Sequence, residues 1–317
     1  MMTGCRIYLP FYLVLVIALV HIPLRCAWAQ SPLGTFERTL IVTGAAEIVL
    51  ANGYGAITFE PGEAGMVSVA GTVSIARQWN GGTEAGEAMA RRLLQNPPVE
   101  LKGTVIRIGD IMEDTSLRQA VAIEYKITVP VNTKVTSANA DGDQTVHGLR
   151  GPIEISSGSG KIRITNVEGD VRASTGSGDI YLSAIRGRIQ ANTSEGTIQV
   201  ESLPQEDVQI ASGSGRVLVN GVTGALRVAS GSGNVTAQGN PTADWKFRTG
   251  SGNITVELPR DATFDFYACT ESGHISIGIP LANPAWTGKT EVRGQVRGGG
   301  PLVQVKTDSG QIQIQNR

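Results

Sequence analysis

Apolar and polar residues alternate in short stretches along most of this chain. In Gly160–Ile164, for example, a glycine is followed by two apolar residues that stand two positions apart. This pattern is typical of a turn that leads into a short strand with one buried face. We expect the apolar residues of these stretches to form the core: Ile162/Ile164, Val171/Ala173, Ile180/Leu182, Ile189/Ala191, Ile198/Val200, Val208/Ile210, Val217/Val219, Leu226/Val228, Val235/Ala237, Trp245/Phe247, Ile254/Val256, Phe264/Phe266, Ile275/Ile277 and Ile312/Ile314.

The stretches recur at a fixed period. Seven glycines stand nine residues apart from Gly142 to Gly196, and a Ser/Thr-x-Ser-Gly turn or a variant of it recurs every 18 or 19 residues as far as Gly252. The last two such turns, ending at Gly273 and Gly310, are 37 residues apart, the length of two coils. A repeat of this kind predicts an all-β fold, a single parallel β-solenoid with about 18 residues and two strands per coil, from about residue 40 to 317.

The glycines that end the Ser/Thr-x-Ser-Gly turns are assigned a structural role. A tight corner between two strands often needs a positive φ, which glycine adopts without a steric cost. We therefore expect positive φ at each of these corners: Gly142, Gly160, Gly178, Gly196, Gly215, Gly233, Gly252, Gly273 and Gly310.

The same pattern begins before the regular repeat. Gly55–Phe59 and Gly65–Val69 match it, so residues 36–76 are predicted to form the first coils. Residues 83–95 then interrupt it with a helical pattern, for which Thr83 is the expected N-cap and Asn96-Pro97 the stop. Because an open solenoid end exposes unpaired backbone, we expect this helix to cap it. The side expected to face the core carries Ala85, Met89 and Leu93.

Residues 1–29 are predicted to be a signal peptide, and residues 30–317 the solenoid domain. The apolar run Leu9–Val20 is short for a membrane span, and Ala27-Trp28-Ala29 fits a small-x-small cleavage site. Cleavage near Ala29 would release an exported protein, whether periplasmic, on the outer surface or secreted. Two alternatives stay open: a lipid on Cys26, although Arg25 precedes it, and an uncleaved N-terminal anchor.

Charge and cysteine content narrow the possible functions. The chain carries 27 Lys+Arg and 28 Asp+Glu, a formal net charge of −1, and nucleic-acid binding requires a basic face, so no nucleic-acid partner is expected. Cleavage after Ala29 would leave Cys269 as the sole cysteine, which cannot form an intramolecular disulfide. No histidine stands at a recognised catalytic spacing from this thiol, and it is interpreted as inert.

A set of short phrases in a fixed order connects the chain to a known family. Tyr125–Pro130 is followed by Asn132-Thr133, by the Ser-Gly coils, and finally by Gly298–Pro301 and Lys306–Ile312. This order resembles the bacterial putative-adhesin family, a β-repeat family of unknown function, from about residue 40 to the C-terminus. The resemblance implies an exported or envelope-associated protein with a parallel β-repeat fold, and it brings no catalytic or binding residues with it.

The residues do not favour catalysis or a cofactor. Calcium-binding β-rolls need an aspartate in successive turns, whereas acids are sporadic here, so regular calcium loading is not expected. A glycosidase needs two carboxylates that face one groove. The outward residues Asp170, Asp207 and Asp244 are interpreted instead as partners of arginines and lysines on neighbouring coils. We therefore predict no enzyme activity and no cofactor.

An interaction face is the remaining candidate. The strands after the Ser-Gly turns should point a flat, mostly uncharged polar row outward, whereas the opposite sheet is charged. The function predicted is that of an exported, non-enzymatic adhesin-like module for an envelope protein or a glycan. The alternatives are an envelope-stress sensor or scaffold that binds a protein, and, less favoured, a carbohydrate-active enzyme. The residues assigned to the face are Thr145, Arg163, Tyr181, Gln199, Thr236 and Thr255, in a row that also includes Leu218, Ser276 and Gln313.

Overall fold

The computed structural model describes residues 32–109, 115–201 and 207–317. The predicted signal peptide lies outside these residues. Two long sheets face each other, and the chain alternates between them along most of its length. Sheet A comprises β1 (Gly34–Ile41), β3 (Ile57–Pro61), β4 (Met66–Ile75), β7 (Val121–Val129), β9 (Gln144–His147), β11 (Ile162–Glu168), β13 (Ile180–Arg186), β15 (Ile198–Glu201), β17 (Val217–Val222), β19 (Val235–Gly239), β21 (Ile254–Leu258), β23 (Ile275–Ile277) and β27 (Ile312–Asn316).

Sheet B is the charged sheet of the sequence analysis. It comprises β2 (Glu47–Tyr54), β5 (Val99–Lys102), β6 (Val105–Ile108), β8 (Lys134–Asp141), β10 (Ile153–Ser157), β12 (Val171–Thr175), β14 (Ile189–Thr193), β16 (Val208–Ser212), β18 (Leu226–Ser230), β20 (Trp245–Thr249), β22 (Phe264–Thr270), β24 (Ala282–Thr287), β25 (Glu291–Val296) and β26 (Leu302–Thr307). The two helices described are α1 (Thr83–Gln95) and α2 (Thr115–Ala120).

The predicted solenoid is confirmed in its central coils. There, each strand pairs in parallel with the strand one coil away, so that Ile162, Ile180 and Ile198 stand in one column. The residues expected to point inward are all buried between the sheets, except that Ile277 is only partly buried. Burial of apolar side chains on this scale is the main favourable term in folding, at about 1.5–3 kcal/mol for a large aliphatic residue.

Both ends of the stack differ from the predicted all-parallel order. Strand β4 is antiparallel to both β1 and β7. The stretch Gly65–Val69 therefore belongs to an antiparallel layer at the end of sheet A and does not begin a coil. At the other end β25 is antiparallel to both β22 and β24. No further coil follows at an end, and antiparallel strands, which short loops can join, close the sheet there.

The coils at the C-terminal end are also out of chain order. Strand β26 lies between β20 and β22, and β27 lies between β21 and β23. The 37-residue interval between Gly273 and Gly310 therefore does not represent two successive coils. Instead, the chain passes to the outermost coil with β22 and β23, makes β24 and β25, and returns to fill the layer beneath.

The helix α1 has the predicted bounds, and two of the three residues expected on its inner side do face the core: Leu93 is buried and Met89 is partly buried against the core. It contacts β1, β4 and β7 at the N-terminal end of sheet A. Its buried residues are Gly86, Ala90 and Leu93, whereas Ala85 is exposed. Its N-cap is Gly82, with no side-chain hydrogen bond, so the expected capping role of Thr83 is wrong. The short helix α2 was not predicted.

The glycine corners are explained by close approach and not, in most coils, by positive φ. Only Gly142 and Gly196 of the nine corner glycines have φ in the left-handed region, at 139° and 124°. A Cβ on Gly178 would clash with the carbonyl oxygen of Gly160, the corner of the neighbouring coil, and the other corners repeat this contact. The predicted positive φ is therefore wrong for seven corners: Gly160, Gly178, Gly215, Gly233, Gly252, Gly273 and Gly310.

Candidate interaction site

The polar row predicted on sheet A is continuous in the structure. Thr145, Arg163, Tyr181 and Gln199 are successive Cα partners on neighbouring strands. The row continues through Leu218, Thr236, Thr255, Gln313 and Ser276, in that spatial order. The last two residues are exchanged relative to the chain because β27 lies inside β23.

Four of the six assigned residues are brought together at one depression, which we call the Tyr181 depression. Thr145, Arg163, Tyr181 and Gln199 line it, together with corner residues of four coils, and its volume is about 440 Å³. Thr236 and Thr255 lie further along the same row and do not line it. The corner residues at its rim are Asp143, Lys161, Asp179 and Thr197.

The side chain of Tyr181 is fixed in the depression by contacts with Arg163 and Glu201. The guanidinium carbon of Arg163 lies 4.5 Å from the centre of the Tyr181 ring, which is a cation–π contact. The phenol donates a hydrogen bond to Oε2 of Glu201 at 2.9 Å, and Gln199 donates to Oε1 of the same carboxylate at 2.9 Å. Tyr181 is half-buried, not fully exposed as expected, because its neighbours on the row pack against it.

Two rim carboxylates already have backbone partners. Oδ1 of Asp143 accepts the N–H of Lys161 at 2.9 Å, and Oδ1 of Asp179 accepts the N–H of Thr197 at 2.9 Å. Each aspartate thus satisfies a donor of the neighbouring coil. Among the described residues, no group of three His, Cys, Asp or Glu side chains could hold a metal ion.

Two of the three aspartates considered for glycoside hydrolysis, Asp170 and Asp244, are engaged in the same way. Oδ1 of Asp170 accepts the N–H of Arg188 at 3.0 Å, and Oδ1 of Asp244 accepts the N–H of Leu302 at 3.1 Å. Asp244 also forms an ion pair with Lys246, two residues further along the chain, at 3.5 Å. Their main contacts are therefore with backbone N–H groups of the next coil, which the expected cross-coil charge pairing did not foresee.

Further along sheet A, polar side chains form a ladder without a depression. Gln238 and Gln315 both donate to Glu257, at 2.6 and 2.9 Å, and Gln313 donates to Gln315 at 2.8 Å. These bonds satisfy the side chains within the protein. The Tyr181 depression is thus the part of the row that combines a concave shape, an aromatic ring and charges of both signs.

The architecture defines a class of protein: a two-sheeted parallel β-repeat protein whose candidate site lies on an outer sheet face and not in an enclosed cleft. The chain belongs to the Toastrack DUF4097 family, whose profile matches residues 115–315. This confirms the resemblance found in the sequence.

Solved structures of similar proteins have low identity to this chain. A crystal structure of a putative adhesin from Bacteroides fragilis NCTC 9343 is 13% identical, with 91% of this chain and 100% of that chain covered and a TM-score of 0.39. A putative cell adhesion protein from Clostridium sporogenes ATCC 15579 is 14% identical, with 90% and 100% covered and a TM-score of 0.21. No curated protein matches the chain.

None of the helices in the described residues is long and apolar enough to cross a membrane.

Proposed function

We propose that the protein is an exported, non-enzymatic surface module that binds a cell-envelope partner through the Tyr181 depression. The observation that carries the proposal is the Arg163–Tyr181 pair at the centre of that depression. Tyrosine and arginine are enriched among residues that dominate binding energy at interfaces. The pair stands on adjacent strands of a long sheet, so little conformational entropy is lost when a partner orders it.

The partner is a protein or a glycan of the envelope. Cations at Lys161 and Arg163 and carboxylates at Asp143 and Asp179 offer both signs of charge around one aromatic ring. Export is supported by the predicted signal peptide and by the start of the folded domain, since β1 begins at Gly34, shortly after Ala29.

The test compares variants of the mature chain, residues 30–317, for binding to two purified fractions of the encoding bacterium. One fraction is cell-wall glycan and the other is detergent-extracted envelope protein. Tyr181→Ala is expected to weaken binding to one fraction about tenfold or more, as removal of an interface anchor does. Thr255→Ala is the matched control, since Thr255 lies on the same row outside the depression.

Each outcome has a defined meaning. A folded Tyr181→Ala variant that binds as the wild type does would contradict the depression as the site and would direct attention to the ends of the solenoid. Selective loss of binding to the protein fraction would favour the scaffold or sensor interpretation over an adhesin of glycans. New reducing ends released from the cell-wall glycan would contradict the non-enzymatic assignment.

A further inference from the structure

A second groove lies on the outer face of sheet B near its C-terminal end. Its volume is about 610 Å³, within the range of pockets that hold small ligands. We call it the Tyr267 groove. Strands β22, β25 and β26 contribute most of the polar side chains that line it, and β24 contributes one, Asn283; those of the first three strands are Asp265, Tyr267, Arg293, Gln295, Gln304 and Lys306.

Two cations contact the aromatic ring of the groove. The guanidinium carbon of Arg293 lies 4.8 Å from the centre of the Tyr267 ring, and Nζ of Lys306 lies 5.3 Å from it. Strand register fixes this arrangement, because Tyr267 is the Cα partner of both Arg293 and Gln304. The groups therefore stand on paired backbone and are preorganised for a ligand.

The lining of the groove carries two cations, Arg293 and Lys306, and one carboxylate, Asp265, and a further cation, Arg248, stands beside the groove on β20. Arg293 forms an ion pair with Glu291 at 3.1 Å, and Asp265 accepts a hydrogen bond from Gln295 at 3.1 Å. Lys306 and its Cα partner Arg248 are exposed, and neither forms an ion pair with any residue of the described chain. Like charges directly opposite on a sheet destabilise it, so an anion placed between these two would relieve a cost that the fold carries alone.

The remaining groups of the groove suit hydroxyls. Gln304 offers an amide, and desolvation by the surrounding strands is the largest cause that raises the pKa of Tyr267, so its phenol stays neutral and can donate. Leu302 and Ala285 are the apolar side chains that line the open part of the groove. A peptide that adds as a strand would need a free strand edge, but β22, β25 and β26, which carry the charged groups of the groove, are each paired on both sides.

We propose that the Tyr267 groove binds an acidic sugar, a hexuronate unit of a polysaccharide. Its carboxylate lies against Lys306, on the side of the groove next to Arg248 of the neighbouring strand β20, and its hydroxyls bond to Tyr267 and Gln304. This site is on the opposite sheet from the Tyr181 depression and is independent of it.

The experiment titrates the mature chain with tetrasaccharides of glucuronate, galacturonate and mannuronate, each beside the neutral tetrasaccharide of the matching hexose, at low salt by calorimetry. At least one hexuronate is expected to bind, and its neutral counterpart to bind at least about tenfold more weakly, since charge-assisted hydrogen bonds are lost. Lys306→Ala and Tyr267→Ala should each weaken hexuronate binding by about tenfold. Arg216→Ala, which removes an exposed arginine away from the groove, is the control and should leave it unchanged.

Three results would overturn the proposal. One is that no hexuronate binds better than its neutral counterpart. Another is that Lys306→Ala and Tyr267→Ala bind as the wild type does while their thermal midpoints show them to be folded. The third is that tetraglutamate, an acidic peptide of equal charge, binds as tightly as the best hexuronate, because that would show attraction by charge alone.

Discussion

The hydroxyl of Thr175 accepts the backbone N–H of Gly178 at 3.1 Å and donates to the carbonyl of Gly160 on the neighbouring coil at 3.2 Å. One side chain thus closes its own corner and joins it to the next. The bond from the corner N–H to a hydroxyl at the first position of the turn recurs at Ser157, Ser230, Thr249, Thr270 and Thr307.

Replacement of Thr175 by Val should destabilise the protein although the shape of the side chain is kept. The buried N–H of Gly178 would lose its partner, at a cost of about 1–3 kcal/mol. Urea denaturation measures the effect. Ser177→Ala is the control, because Ser177 belongs to the same turn but is exposed, and its loss should change the free energy of unfolding by less than about 0.5 kcal/mol. Equal effects of the two replacements would contradict a special role for the first position.

Replacement of Gly178 can distinguish two reasons for a glycine at the corner: the close approach of the neighbouring coil and a positive φ. Because a Cβ at this position would meet the carbonyl of Gly160, Gly178→Ala and Gly178→Asn should both destabilise by roughly 1–3 kcal/mol or more. If a positive φ were the reason for glycine, Asn would be tolerated much better than Ala. Gly103 provides the comparison: its φ is +65° with nothing within 4 Å of a Cβ, so Gly103→Asn should be nearly neutral. Thermal midpoints of the three variants decide between the two explanations.

Tyr125 should limit stability at high pH. Its ring packs edge-on against Phe36, its hydroxyl has no hydrogen-bond partner among the described residues, and burial raises the pKa of the phenol above its ordinary value of about 10. The folded protein therefore keeps the proton while the unfolded chain releases it. Stability is unaffected below about pH 10 and falls as the pH rises further.

Tyr125→Phe tests both properties. At pH 7 it should be neutral or stabilise by up to about 1–3 kcal/mol, since an unsatisfied buried hydroxyl is removed. Above pH 10 its free energy of unfolding should fall less steeply than that of the wild type. A marked loss of stability at pH 7 would show that the hydroxyl has a bonding partner that matters.

Loss of the α1 contact should loosen one end of the stack and not its centre. Leu93 is 2% exposed, and Leu93→Ala should cost about 2–5 kcal/mol locally. In a repeat protein each coil depends mainly on its neighbours. Hydrogen exchange should therefore accelerate in β1 and β4 but not in β16 or β18. Ala85→Gln, on the exposed side of the helix, should leave exchange unchanged, and uniform acceleration would show that the whole stack unfolds as one unit.

Export and cleavage are tested by mass. The exported protein should start at Gln30, with residues 1–29 absent from the intact mass. Retention of residues 1–29 would establish an uncleaved anchor, and a lipid adduct on Cys26 would establish a lipoprotein.

The central coils could be predicted because the sequence pattern that specifies each strand, the alternation of apolar and polar residues, lies within the strand itself. A strict two-residue alternation places Ile162 inward and Arg163 outward whatever the rest of the chain does, and it correctly aligned Thr145, Arg163, Tyr181 and Gln199. The period could not reveal which strand neighbours which at the ends, because β26 and β22 meet through pairing that the repeat does not encode.

The Tyr267 groove was missed for the same reason. Its charged and aromatic residues come from β22, β25 and β26, and only the pairing of these strands brings Arg293 and Lys306 to one ring. Each of the two has the outward position in its strand, but nothing local indicates that they converge. The role of Thr175 could not be predicted either, because the sequence of the turn does not indicate whether the hydroxyl at its first position is buried or exposed.

The layer formed by β26 and β27 has a consequence for the order in which the chain can fold as it emerges. Strands β22 and β23 leave the ribosome, and cross any membrane, before β26 and β27, the strands with which they pair in parallel, have been made. Until residues 302–316 arrive, Phe264 and Phe266 have no neighbouring coil to cover them, and such exposed strands are prone to aggregate. The stack therefore cannot be shortened or lengthened here one repeat at a time. Truncation of the chain between β25 and β26 would remove the layer formed by β26 and β27, and the outermost strands β22 and β23 would lose the strands with which they pair in parallel.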